Sequence, residues 1–544
     1  MLCLGKSLSS DRLQNILFPT LALFVAALLL FCRLDDVYLW QDEAETALIS
    51  RHLLAYGLPL ASDGKTWVQQ ADYPFVEFRH NYIWIFHSWL QYVLTALAFA
   101  LLGPTTFAAR LPFVLVGLAT YGFFYYFASR WLRDSRTVRI AMILLLFCVP
   151  FILHLRQCRY YALAAFMTLV ILDAYLRVRV EERWALPYFI LAAVLLYHSH
   201  YGAFLPTVAA LSIHFFLSRP RGKMSYQFLF ALAVIAVLVL PWAYFMRVWN
   251  RGQLFLLDRF LAHLGQYSIF ITVWIFPLVL APVLLVAWIR RSRNKGLVLS
   301  PTQSAFSEVA GLVILLNILV LSCFAAYDWV FFRYIIHLVP LLLVLLALVV
   351  VLLIERWVVL GSLTLVILVI SNVLHILPYT FSGIKHINWQ HLWPGSEAFG
   401  ALQRRWAVAV HFRSDILMYA QQLTHSYEGP IEGLVHYLSQ HAKPGETVVV
   451  NDEELPLMFY TNLRVLGGFG LHGISAEIQP DWVIDRKHGY YRDLLAKIVS
   501  SGPYERVEIP YPDIRWENRE EPGAHHYLTV QDEDSVVLYR LRKD

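Results

Sequence analysis

The sequence predicts an α-helical polytopic membrane protein. It expects about eleven transmembrane helices, juxtamembrane helices in the first outer loop, and a small C-terminal α/β extracytoplasmic domain. Three observations carry this. The 544 residues are 58% hydrophobic and only 15% charged, where soluble domains are about half apolar and about a quarter charged. The apolar residues gather into twelve runs, most of them near the roughly 20 residues that a spanning helix needs. Beyond about residue 380 the pattern changes to short β-branched strands alternating with helical periodicity.

The first run, 16–32, follows Lys6 and Arg12. It ends in "LLLFCRLDD" without a small-residue cleavage site, so it reads as the first membrane helix and not as a removed signal peptide. The other runs lie at about 82–103, 107–128, 138–155, 160–176, 185–200, 202–217, 226–246, 268–289, 306–326, 334–354 and 357–378. If all twelve crossed, the basic cluster Arg130, Arg133, Arg136 and Arg139 would lie outside, as would 177–183, 219–223 and 290–295. Lys and Arg prefer cytoplasmic loops. One non-crossing segment moves every cluster inside. The best candidate is 82–103, whose aromatic opening with Asn81, His87 and Gln91 suits an interfacial helix. Eleven crossings follow, with the N-terminus inside and the C-terminus outside. The loops at 33–105, 156–159, 198–202, 247–266 and 327–333 then share the outer face.

The chain divides into a membrane domain (1–380, with 33–105 as its first outer loop), a linker (381–424) and the outer α/β domain (425–544). In the last, "KPGETVVVND" (443–452), "PDWVIDR" (480–486) and "DSVVLYRLR" (534–542) read as strands. "IEGLVHYLSQHA" (431–442) and "YYRDLLAKIVSS" (490–501) read as helices.

Composition also excludes classes. The net charge is +5, and the arginines sit in short loops between apolar runs, so no nucleic-acid partner is expected. There are five cysteines, none after Cys323 and none in a CxxC. That argues against both a disulfide scaffold and a cysteine zinc site.

"YLWQDEAETALIS" (38–50) places Asp42, Glu43 and Glu45 directly after the first crossing. A structural account exists. Asp42 can cap an amphipathic surface helix, Glu45 three residues on completes a capping box, and Gly57 stops the helix. Glu43 is left over by that account.

An Asp-Glu pair at the start of a helix just after the first crossing resembles the C-type superfamily of membrane glycosyltransferases. Within it, "DEAETALISRHLLAYGLPL" is similar to the lipid A aminoarabinose transferases and the protein O-mannosyltransferases. "FAARLPFVLVGLATYGFFYYFASRWL" (107–132), "RQCRYYAL" (156–163) and "FFRYIIHLVPLL" (331–342) resemble further family segments. The resemblance covers roughly residues 12–380. It implies transfer of a sugar from a polyprenyl-phosphate-linked donor to an acceptor hydroxyl (glycan, lipid or protein) on the outer face, with inversion. A bacterial inner membrane is the expected location.

A hydroxyl is a poor nucleophile and needs a base, the place the family gives to the residue matching Asp42. Glu43 is expected beside it, holding the acceptor, orienting Asp42 or helping a metal. A leaving lipid phosphate needs cations. Arg156, Arg159 with Tyr160, and Arg333 with Tyr334 are the candidates, with Arg333 foremost. Glu77, Arg79 and His80 in the long first loop are further substrate-binding candidates. A divalent metal is not required by the sequence; Glu77 and His263 are its candidate ligands. No glycine-rich phosphate loop or dinucleotide fingerprint occurs, which suits a donor drawn from the bilayer. The competing class is a transporter or flippase of lipid-linked sugars. It usually shows repeated halves and charges at the midplane, whereas the charges here gather at the outer mouth. A sensor would need an output domain that is not evident.

Overall fold

The computed structural model of the chain describes residues 10–69, 77–218, 223–251, 255–292, 301–324, 328–381, 395–402, 411–426, 429–468, 474–475, 477–514 and 534–543. The helices of the membrane part are α1 (Ser10–Phe31), α2 (Gln41–Tyr56), α3 (Leu90–Leu102), α4 (Thr106–Leu132), α5 (Ser135–Leu146), α6 (Val149–Leu155), α7 (Tyr161–Arg179), α8 (Ala185–Ser199), α9 (Tyr201–Leu217) and α10 (Lys223–Phe245). They continue with α11 (Leu257–Trp274), α12 (Ala281–Ser292), α13 (Pro301–Phe324), α14 (Val339–Arg356), α15 (Val358–Ile370) and α16 (Val373–Phe381). The C-terminal part holds α17 (Asp415–Thr424), α18 (Pro430–His441), α19 (Glu454–Tyr460) and α20 (Arg492–Ser500).

Among the described residues, five helices are long and apolar enough to span a membrane, and up to eight if each bent pair is one span. The continuous stretch Phe332–Arg356 is 89% buried over its apolar window, whereas Met224–Phe245 is 22% buried. The first is therefore a central element and the second turns most of its surface outward. Helix α3 has 13 residues, about 20 Å of axis, against roughly 30 Å of hydrocarbon.

Three runs that read as single helices are broken. The bends are 66° between α5 and α6, 81° between α11 and the segment from Leu278, and 94° between α15 and α16. Pro150 stands at the start of α6 and Pro277 within the second break, next to Leu278, where a missing N–H and the clash with the preceding residue stop a helix. At the third, the Asn372 side chain binds the His411 carbonyl (2.7 Å) and the Arg413 N–H (2.9 Å) in place of a helical turn. All three breaks line one cavity of about 50 Å³, with Phe147, Cys148, Trp274, Ile275, Ser371 and Asn372 in its wall.

The five-stranded sheet has the order β2-β1-β3-β5-β4, with β1 Thr447–Val450, β2 Arg464–Gly467, β3 Trp482–Ile484, β4 Tyr504–Pro512 and β5 Ser535–Leu541. β1 runs parallel to β2 and β3, and β5 is antiparallel to β3 and β4. Both faces are covered, which explains the unbroken apolar runs. Val448, Val450, Trp482 and Ile484 join the core with Ile431, Leu434 and Leu455. Val449, Leu466 and Val483 pack against Leu495 and Ile498 of α20. Where described, the segment expected as a linker is packed: α17 buries Tyr419, and Tyr419 Oη bonds the Leu29 carbonyl at 2.5 Å.

Candidate active site

Helix α2 begins at Gln41. Its N-cap is Trp40, in extended conformation and without a side-chain cap bond. The capping box of Asp42 and Glu45 does not form, because both carboxylates already lie inside the helix. Nor is α2 a surface helix, since every residue from Gln41 to Ser50 is buried. Gly57 does end it, in the left-handed region at φ 73°.

Buried carboxylates need partners, and each acidic residue here has an arginine from a different element. Glu43 is gripped by Arg110 of α4, Nε to Oε1 at 2.9 Å and Nη2 to Oε2 at 2.6 Å. The Cys158 N–H adds a third bond to Oε1 at 2.7 Å. Arg110 also donates to the carbonyls of Leu34, Val37 and Tyr38, so it fixes the chain entering α2.

Glu45 pairs with Arg159 in the turn 156–160, at 2.8 Å from Nη1 and 3.0 Å from Nη2. It also accepts from Tyr92 Oη at 2.9 Å. Burial pushes the Glu45 carboxyl up, with Arg159 pulling it back. Arg159 donates further to the Asp42 carbonyl (2.9 Å), Thr46 Oγ1 (3.0 Å) and His87 Nε2 (2.8 Å).

Asp42 meets Arg333, Oδ2 to Nη2 at 3.3 Å, with side-chain exposures of 12% and 14%. This pair is the longest and most open of the three. Arg333 lies in a 3-10 stretch, Phe332–Leu338, a backbone that rarely persists beyond three or four residues and often marks function. Its guanidinium lies over Phe331 (4.0 Å), Trp40 (5.4 Å) and Tyr334 (5.8 Å). Tyr160 stacks on His200 with centroids 4.4 Å apart, and burial pushes that imidazole down to about 4.

The other expected residues make contacts of their own. Arg156 donates to the carbonyls of Cys32 and Arg33 and to Tyr419 Oη, tying the end of α1 to α17. Arg79 binds the Phe245 carbonyl at the end of α10 (2.7 Å) and stacks on its ring. Glu77 is fully buried, its carbonyl accepting from the Ile85 N–H at 2.7 Å. His80 is exposed in the adjoining turn. His263 Nδ1 faces the Ser322 carbonyl at 3.2 Å. Among the described residues, no three His, Cys, Asp or Glu side chains are grouped to hold a metal ion.

No protein-family model and no curated protein matches the chain. Solved structures do. ArnT from Cupriavidus metallidurans in the apo state aligns over 98% of this chain and 98% of its own, at 15% identity and TM-score 0.57. ArnT from the same organism bound to undecaprenyl phosphate aligns over 96% and 97%, at 14% identity and TM-score 0.54. The chain has the ArnT fold. The arabinofuranosyltransferase AftD from Mycobacteria aligns over 99% of this chain and 40% of its own, at 13% identity and TM-score 0.49.

Within the ArnT fold, four side chains at the site escaped the sequence reading: Arg110, Glu45, His87 and Tyr161. Arg110 was visible only as part of "AARLP", and Glu45 only as a capping residue. Tyr161 is completely buried, and its hydroxyl has no hydrogen-bond partner among the described residues. Asp42, Arg333, Arg159 and Tyr334 all lie within its electrostatic reach. Orphaned buried hydroxyls are rare and call for an explanation.

Proposed function

We propose that this chain is a membrane glycosyltransferase that moves a sugar from a polyprenyl-phosphate-linked donor to an acceptor hydroxyl, with inversion, on the extracytoplasmic face. The observation that carries the reading is the Asp42–Arg333 pair, a carboxylate and a guanidinium in contact at 3.3 Å, set in the ArnT fold. The ArnT structure bound to undecaprenyl phosphate supports the same class of lipid carrier here.

Asp42 Oδ2 takes the acceptor's proton as the acceptor oxygen bonds to the anomeric carbon. The bond from that carbon to the phosphate oxygen breaks, and the phosphate leaves with the electron pair. Arg333, drawn from Asp42 towards the phosphate, balances the developing charge, as charge-assisted contacts do. Glu43 and Arg159 hold α2 in register, and Tyr160 and Tyr334 wall the site. Arg156 and Arg79 hold main-chain carbonyls.

Eleven crossings and an outer C-terminal domain follow from the positive-inside preference. Two of the basic loops lie together, since Arg130 and Arg177 both pair with Glu182. They define one face of the bundle. A bacterial inner membrane suits a polyprenyl-phosphate donor.

A lipid-linked-sugar flippase is the second reading. The three broken helices favour it, because transporters bind at such breaks. The cavity they share, about 50 Å³, has room for a few waters at ten to fifteen Å³ each and not for a glycan.

Reconstitution into liposomes with polyprenyl-phosphate sugars and an envelope extract as acceptor tests the proposal. Free polyprenyl phosphate should appear with wild-type protein. Asp42→Asn should reduce its rate by roughly two to four orders of magnitude while the protein stays folded. Normal turnover in Asp42→Asn would remove the catalytic assignment. Donor translocation without bond cleavage would establish the flippase.

A further inference from the structure

We infer that the C-terminal domain is part of the active-site architecture: Tyr460 and Glu454 on α19 are positioning residues for Asp42. The inference rests on Asp42 being the base proposed above.

Helix α2 lacks the device that normally fixes a helix start. Trp40 offers no side-chain acceptor, and an uncapped first turn leaves its register undefined from within. The register is instead imposed from outside, on two sides. From the membrane domain, Arg110 binds the carbonyls of Val37 and Tyr38. From the C-terminal domain, α19 supplies the rest. Tyr460 Oη accepts the Leu39 N–H at 2.9 Å and bonds Thr106 Oγ1 at 2.6 Å. Its ring stacks on Tyr38, with centroids 4.3 Å apart. Gln41, adjacent to Asp42, gives its amide N–H to Glu454 Oε1 at 2.8 Å and receives the Leu455 N–H on Oε1 at 3.3 Å.

These contacts converge on residues 38, 39 and 41, the three that lead into Asp42 alongside Trp40. Their placement is specific. Glu454 is buried within α19 and Tyr460 partly so, and the remaining Glu454 oxygen has no partner among the described residues. Gly468 closes over that carboxyl so tightly that a Cβ there would fall 2.0 Å from its carbon. The interface therefore has a defined geometry, and a base displaced by about 1 Å can lose a factor of about 10² in rate.

The test uses the full-length reconstituted protein, with polyprenyl phosphate release and hydrogen exchange of residues 37–43 as separate readouts. Tyr460→Phe keeps the ring stack and removes only the hydroxyl. It should lower kcat at least about tenfold, leave the donor KM within about twofold, and speed exchange over 37–43. Glu454→Leu should do the same. Glu454→Gln, which keeps an oxygen facing Gln41, should restore the turnover that Glu454→Leu loses. Wild-type kcat in Tyr460→Phe, or unchanged exchange over 37–43 in both Tyr460→Phe and Glu454→Leu, overturns the inference. An inactive wild-type protein whose 37–43 exchange still responds to Tyr460→Phe would instead count against the proposed transferase reaction.

Discussion

Arg110 holds Glu43 with two parallel bonds, 2.9 and 2.6 Å long, and neither side chain is more than 7% exposed. A buried pair of this kind is most costly to break from one side, because the remaining charge is stranded. Glu43→Gln and Arg110→Leu should each destabilise by roughly 3–5 kcal/mol. The double variant should cost less than the sum. Thermal unfolding in detergent across the mutant cycle checks this, and simple additivity would dissolve the claimed coupling.

Arg159 reaches four acceptors on α2 and the first loop through a planar fork. A lysine carries the same charge but cannot reproduce that fork. Arg159→Lys should therefore fall well short of wild type, with kcat reduced about tenfold or more and the donor KM little changed. A raised KM with normal kcat would return Arg159 to phosphate binding.

Tyr161 separates stability from function. Its hydroxyl has no partner among the described residues, so Tyr161→Phe should leave the unfolding temperature unchanged or slightly raised. If the hydroxyl serves the substrate, kcat/KM should drop about tenfold, the value of one lost hydrogen bond of about 1–1.5 kcal/mol. Unchanged kcat/KM would make it a passive core residue.

Burial pushes the Glu454 carboxyl up to about 8, from 4.5 in the unfolded chain. The folded state then holds the proton more tightly than the unfolded state. Its contribution to stability is fully present below about pH 4.5 and is lost as pH rises through about 8. The unfolding temperature should fall across that window in wild type and less steeply in Glu454→Gln. Parallel profiles for the two proteins would show that Glu454 is ionised when folded.

Much of the fold was determined by the sequence alone. Long apolar runs have few places to go but a bilayer. Gly57 ends α2 because only a residue tolerant of the left-handed region suits that position. The runs at 447–450, 482–484 and 535–541 form strands because they are β-branched and bounded by turn residues. These are local causes, carried by neighbouring residues. The breaks at Pro150 and Pro277 had a local cause as well, yet the apolar run obscured it.

The site was legible only in part. Asp42 and Arg333 could be singled out by residue type and position, but their contact is a tertiary fact. Glu43 is 67 residues from Arg110, Glu45 is 114 from Arg159, and Gln41 is 413 from Glu454. No periodicity encodes such pairings, because each depends on how separate elements pack. The same packing decided what the local pattern could not. It set α2's start by Arg110 and α19 instead of a capping box, and it buried the whole acidic stretch among three arginines.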